Sequence, residues 1–155
     1  MSKMKKILWL AAAVLFVGAV AMAGNNLPRK ETAKQKENKT MKVESAPFLY
    51  ESELQWESPV PGLKRQIMGH NDELMIVKID FEPGCDGGGP HSHPHSQCTV
   101  VVSGVFEVTI DGQTRTLKAG DGFYAAPGKV HMAKCIERGT LIDSFSPVRE
   151  DFLKK

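Results

Sequence analysis

Short apolar segments at even spacing, turn dipeptides between them, and no sustained helical periodicity beyond residue 44 predict an all-β fold. The form expected is one small barrel or sandwich of about 110 residues, enough for a single domain with a modest core. Ser58-Pro59-Val60-Pro61-Gly62 breaks any regular element near the start. Leu74–Phe81 is strand-like and is closed by Pro83-Gly84. Thr99–Val102 is a continuous apolar run that reads as a buried strand, with Ser103-Gly104 as its stop. Val105–Ile110 alternates apolar and polar residues, and Asp111-Gly112 after it is a hairpin signal, because a two-residue type I′ turn needs positive φ. Further strands are expected at Thr114–Leu117, Phe123–Ala126, Val130–Ile136 and Thr140–Phe145.

The first part of the chain stands apart from this rhythm. Lys3, Lys5 and Lys6 precede the apolar run Ile7–Val20, and Ala21-Met22-Ala23 follows, so residues 1–23 read as a cleaved secretory signal peptide. The run falls short of the roughly 20 residues that span a bilayer, which argues against a retained anchor. Residues 24–44 are Lys, Glu, Asn, Gln and Thr with few apolar groups, and are expected to be a disordered linker. A periplasmic or secreted protein, off the membrane after cleavage, is the expectation. The net charge of +2 is misleading for the domain, because residues 45–155 hold 11 Lys/Arg against 15 Asp/Glu. A mildly acidic domain argues against a nucleic-acid partner.

Cys85, Cys98 and Cys135 are an odd count, which leaves at least one thiol or an intermolecular bridge. Cys98 has the opposite strand parity to Gln97 and should face outward, whereas Cys135 shares the parity of His131 and should face inward. A bridge between those two is therefore awkward, and the cysteines are read as buried free thiols.

Chemistry concentrates in Gly89-Pro90-His91-Ser92-His93-Pro94-His95-Ser96-Gln97 and in His131, which follows the turn Pro127-Gly128-Lys129-Val130. On a strand, His91 and His93 share one face and Gln97 keeps that parity. Three imidazoles and one carboxamide oxygen make a ligand set for one divalent metal ion. All four ligands are neutral, so the centre would keep close to its full charge and attract anionic oxygen ligands. Ni, Zn, Mn and Fe(II) all suit the set. His95 shares the parity but is read as a supporting or rim histidine.

These motifs carry a family resemblance. His91-x-His93-x3-Gln97-x6-Gly104 resembles the first cupin motif, with Gln97 where Glu is usual, and Gly120-Asp121 through Pro127-x3-His131 resembles the second. The resemblance spans roughly residues 48–153 and implies a single-domain cupin, a double-stranded β-helix or jelly-roll barrel. Pro90–Gln97, Asn71-Asp72-x-Leu74-Met75 and Leu141–Leu153 are further similar to segments of the small pectin-degradation (KdgF-type) cupins. That likeness implies an enzyme converting 4,5-unsaturated uronates, the products of pectate or alginate lyases, to linear 4-deoxy-5-keto uronates. It implies metal ligands at His91, His93, Gln97 and His131, an acidic catalytic residue at Asp143, an aromatic at Phe145 and a substrate-binding arginine at Arg149. Cupins commonly pair through outer strands, which implies a homodimer.

The residues themselves leave alternatives open. Asp143 and Phe145 are two apart on an expected strand and share a face, so a carboxylate facing inward could move a proton. Arg149 could hold a sugar-acid carboxylate bidentately, or pair with Asp143 and pin the C-terminal segment. A non-catalytic metal or sugar-acid binding module and an Fe(II)-type oxygenase share the same ligand set.

Overall fold

The computed structural model describes residues 44–154. The signal-peptide assignment at 1–23 and nearly all of the linker lie outside the described residues. After a 3-10 turn at Glu51–Glu53 come strands β1 (Trp56–Glu57), β2 (Leu63–His70), β3 (Met75–Phe81), β4 (Ser96–Ile110), β5 (Gln113–Lys118), β6 (Gly122–Ala125) and β7 (His131–Ser146), then a short helix α1 (Glu150–Leu153). The strands pair in the order β1-β2-β3-β7-β4-β5, with β6 also on β4. Every pairing is antiparallel. Among the described residues no helix is long and apolar enough to cross a membrane.

Two long strands make the barrel. The first half of β4 pairs with the end of β7 and with β6, while its second half pairs with the start of β7 and with β5. Both strands turn the corner where they cross. A methyl group on Gly139 would lie 2.2 Å from the Ser103 carbonyl oxygen and 2.9 Å from Gly104 Cα. Gly104 itself sits at φ +82° with backbone closing on it from β7. Only glycine lets two backbones approach so closely. Ser103-Gly104 is therefore a bend within one strand rather than the stop expected from the sequence, and the two segments expected on either side of Gly139 likewise fuse into β7.

Inward residues follow the pleat. β3 buries Met75, Val77, Ile79 and Phe81 on one face, and Leu141, Asp143 and Phe145 do the same on β7. Phe81 and Phe106 meet edge to face at 5.4 Å near the bend. Thr99–Val102 is not buried on both faces as its apolar run suggested, because Val100 is 49% and Val102 52% exposed. The hairpin at Asp111-Gly112 forms as expected, with φ of 50° and 81°.

Strand β2 has no counterpart in the sequence reading. Gln66 is wholly buried on its outer side, and its amide donates to the carbonyls of Glu51 (2.9 Å) and Leu54 (3.0 Å) in the overlying turn. A buried glutamine opposite a partly buried arginine erases the alternation that marks a strand.

Candidate metal centre

His91 and His131 meet in an isolated antiparallel bridge, exchanging both backbone hydrogen bonds at 3.0 and 2.9 Å. His93 lies in the bend ahead of β4, not on a strand, and its carbonyl accepts the Gly128 N–H at 2.8 Å. The strand-parity argument thus fails for His91 and His93. Their convergence comes from pinning to the β6–β7 turn instead. The ligand atoms of His91, His93 and His131 lie within 4.8 Å of one another.

Hydrogen bonding then settles which atoms face the centre. The Nδ1 atoms of His91, His93 and His131 lie 3.0, 3.1 and 2.9 Å from the carbonyls of Gly89, His95 and Lys129. A carbonyl only accepts, so each Nδ1 carries the proton and each Nε2 presents a lone pair. His95 therefore supports the site through its backbone, and its own Nδ1 is buried without a partner among the described residues.

Gln97 is oriented by a chain of donors. Its Nε2 donates to Thr99 Oγ1 at 3.0 Å, and the Thr99 hydroxyl donates to Asp143 Oδ1 at 2.7 Å. That leaves Gln97 Oε1 facing the histidines, 3.0 Å from Nε2 of both His93 and His131. Acceptors from four residues therefore converge with no proton between them, a repulsive arrangement that a divalent cation would resolve. The residues fit a metal.

Electrostatics agree with that fit. Burial holds His93 and His131 below the usual imidazole value, which keeps them neutral and able to ligate. Asp143 is 5% exposed, and burial raises its carboxyl from 3.8 to about 6. Thr99, Gln97 and the Arg149 charge pull it back only in part. Such a carboxyl can give or take a proton near neutrality.

His91, Gln97, His131 and Asp143 open on a cavity of about 260 Å³, with Ile79, Phe123, Leu141 and Phe145 among its apolar walls and Arg65 and Arg149 in its lining. Phe145 packs edge-on against His93 at 5.6 Å and steadies that ring. Arg149 lies over Phe145 and Phe152, at 5.2 and 4.2 Å, and pairs with Asp151 through Nε (2.9 Å) and Nη2 (2.7 Å). The Asp143–Arg149 ion pair considered from the sequence does not form. Thr99 was missed, although its parity with Gln97 placed it on the inner face. Arg65 was missed because β2 was.

The cysteines are all unpaired, but the reading of buried thiols holds only for Cys135. Cys98 faces outward and is exposed, as its parity required, and Cys85 is partly buried. None belongs to the ligand group.

Comparison with known proteins places the fold and site in context. A cupin domain matches residues 77–142. The chain is 42% identical over 108 residues to the pectin degradation protein KdgF of Dickeya dadantii (strain 3937), covering 68% of this chain and 97% of that protein. An RmlC-like cupin from Shewanella frigidimarina superposes with a TM-score of 0.68 at 47% identity, over 70% of this chain and 97% of the other. KdgF from Halomonas sp. superposes with a TM-score of 0.65 at 39% identity, over 68% and 98% of the two chains.

Proposed function

This chain belongs to the cupins, in the KdgF-type group of pectin-degradation proteins, and from that membership we propose that it ketonises 4,5-unsaturated monouronates. The reaction is an isomerisation. The C1–O5 ring bond breaks as C1 becomes a carbonyl, the hydrogen of the C1 hydroxyl is lost, and a hydrogen is gained at C4 as C5 becomes the ketone. The observation that carries the proposal is Asp143, a buried carboxyl with its proton affinity raised, on the wall of a cavity that His91, Gln97 and His131 also line.

In this scheme His91, His93, Gln97 and His131 hold one divalent ion, which when bound supplies Lewis-acid stabilisation of negative charge on oxygen. Asp143 takes the proton from the C1 hydroxyl and delivers one to C4, its raised affinity suiting both directions. Thr99 fixes the carboxylate through Oδ1. Phe145 forms apolar wall beside the sugar and keeps water from the enol. Arg149 draws the substrate carboxylate toward the pocket.

The leader reading makes the enzyme periplasmic or secreted, and the outward apolar side chains Val100, Val102 and Tyr124 offer a face for a second copy. The mass of the protein recovered after expression of the full chain in an exporting bacterial host, and its mass in solution, test both: a chain that retains residues 1–23, or a monomer, counts against them.

The deciding experiment follows the ultraviolet absorbance of the enol ether when metal-loaded protein meets lyase-generated unsaturated monouronate. Loss faster than the spontaneous rate, abolished in His93→Ala, supports the proposal. A rate equal to the protein-free control with Ni, Zn, Mn and Fe(II) in turn would sink it.

A further inference from the structure

Two arginines line the cavity, and their hydrogen bonding differs. Arg149 spends its Nε–Nη2 edge on both oxygens of Asp151. Arg65 is bound only at Nε, by Glu57 Oε2 at 2.9 Å, and among the described residues its Nη1 and Nη2 have no partner. The side-on edge of Arg149 is thus taken by Asp151, and one Nη2 hydrogen with it, whereas on Arg65 all four hydrogens of Nη1 and Nη2 are left for a carboxylate.

Position supports the contrast. Arg65 pairs with Ile79 on β3, and Ile79 pairs with Leu141 on β7, so all three lie in one inward row of the barrel. The neighbouring row holds Ile67, Val77 and Asp143. An anchor on Arg65 therefore faces the same cavity as the proton carrier from two strands away, about 10 Å at ordinary strand spacing. Phe152 fixes the guanidinium, whose carbon lies 3.8 Å from the ring centroid, while Arg149 stacks on that ring at 4.2 Å. The side chain of Arg65 is only 18% exposed, so a carboxylate meeting it is largely out of water.

We infer that Arg65 is the carboxylate anchor of this cavity, receiving the sugar acid on its Nη1–Nη2 edge, while Arg149 buttresses Phe152 and adds charge. The inference rests on the uronate reading above, and makes Arg65 a substrate-binding residue of that reaction.

Two readouts separate failure of this inference from failure of the function. In turnover, Arg65→Gln is expected to raise KM for the unsaturated monouronate by about 10- to 100-fold, with kcat changed far less. Arg65→Lys, which keeps the charge and the stem on Phe152 but not the fork, should recover part of the loss. In calorimetry on the metal-loaded protein, D-galacturonate should bind more tightly than its methyl ester. Arg65→Gln should erase that preference while leaving ester binding unchanged. Equal loss of acid and ester, an unchanged KM, or a wild-type protein that does not prefer the acid overturns the inference. Should no unsaturated uronate be turned over at all, the ketonase reading falls, and the acid-over-ester preference alone decides the role of Arg65.

Discussion

Asp143→Asn should stabilise the metal-free protein at neutral pH while removing its activity. In the folded protein the carboxyl titrates at about 6, against 3.8 for an ordinary aspartate, with burial as the main cause. Between those values the unfolded chain has lost its proton and the folded one has kept it, so stability falls as pH rises through that window. Each pH unit is worth about 1.4 kcal/mol, so the full cost above pH 6 is about 3 kcal/mol. Asparagine has the same shape, carries no charge and can still accept the Thr99 hydroxyl through Oδ1. Urea unfolding of chelator-treated wild type and variant from pH 4 to pH 8 reads the difference. The two proteins should be nearly equal at pH 4, and the variant should lead by about 3 kcal/mol at pH 8. Saturation with a divalent ion should narrow the gap, because nearby positive charge favours the ionised carboxylate. A gap that does not vary with pH, or a variant less stable at pH 8, would refute the assignment of a buried, strained charge to Asp143.

Other expectations concern the supports of the site and of the bend. Thr99→Val removes the acceptor of Gln97 and the donor to Asp143, and should weaken divalent-metal affinity by about 10- to 100-fold in competition with a chelating dye. Unchanged affinity would mean that Gln97 is oriented by something else. Gly139→Ala places a methyl 2.2 Å from the Ser103 carbonyl and should cost at least about 2–3 kcal/mol in a denaturant melt. Gly112→Ala, at positive φ but with open space around it, should cost only about 1–2 kcal/mol; equal losses would show that close packing at the bend is not what matters.

Much of this was legible in the chain because its signals are local. Asp111-Gly112 demands a particular turn, and the inward parity of Asp143 and Phe145 follows from the pleat once β7 is recognised. The convergence of His91, His93, Gln97 and His131 was legible from residue type and spacing, but strand parity is not what brings it about. His91 and His93 are aligned by the bridge to His131 and by the Gly128 contact, not by a common strand. Long-range geometry was what stayed hidden. Nothing in Ser103-Gly104 says that β4 bends and continues, because the partner backbone at Gly139 lies 35 residues away. Gln66 and Arg65 likewise depend on what covers β2, and a turn 12 to 15 residues earlier supplies the carbonyls that bury Gln66. Arg149 lines the cavity, with Asp151 rather than Asp143 as its partner, because Asp151 sits two residues away and in reach of two guanidinium nitrogens.

Gln97 is where the ligand chemistry and the proton chemistry join, and the direction of the hydrogen bonds explains why an amide stands there. Oε1 faces His93 and His131 as an acceptor, while Nε2 donates to Thr99, freeing the Thr99 proton for Asp143. A glutamate at this position would have only acceptors. Thr99 has a single proton, so it would have to choose between the two carboxylates, and one of them would lose its donor. The second anion would also lie two hydrogen bonds from Asp143 and oppose its ionisation. The amide avoids both conflicts. It would leave a bound metal's charge undiminished and keeps one donor chain running from Gln97 to Asp143, so the residue proposed to help hold the ion also sets the orientation of the carboxyl proposed to carry the proton.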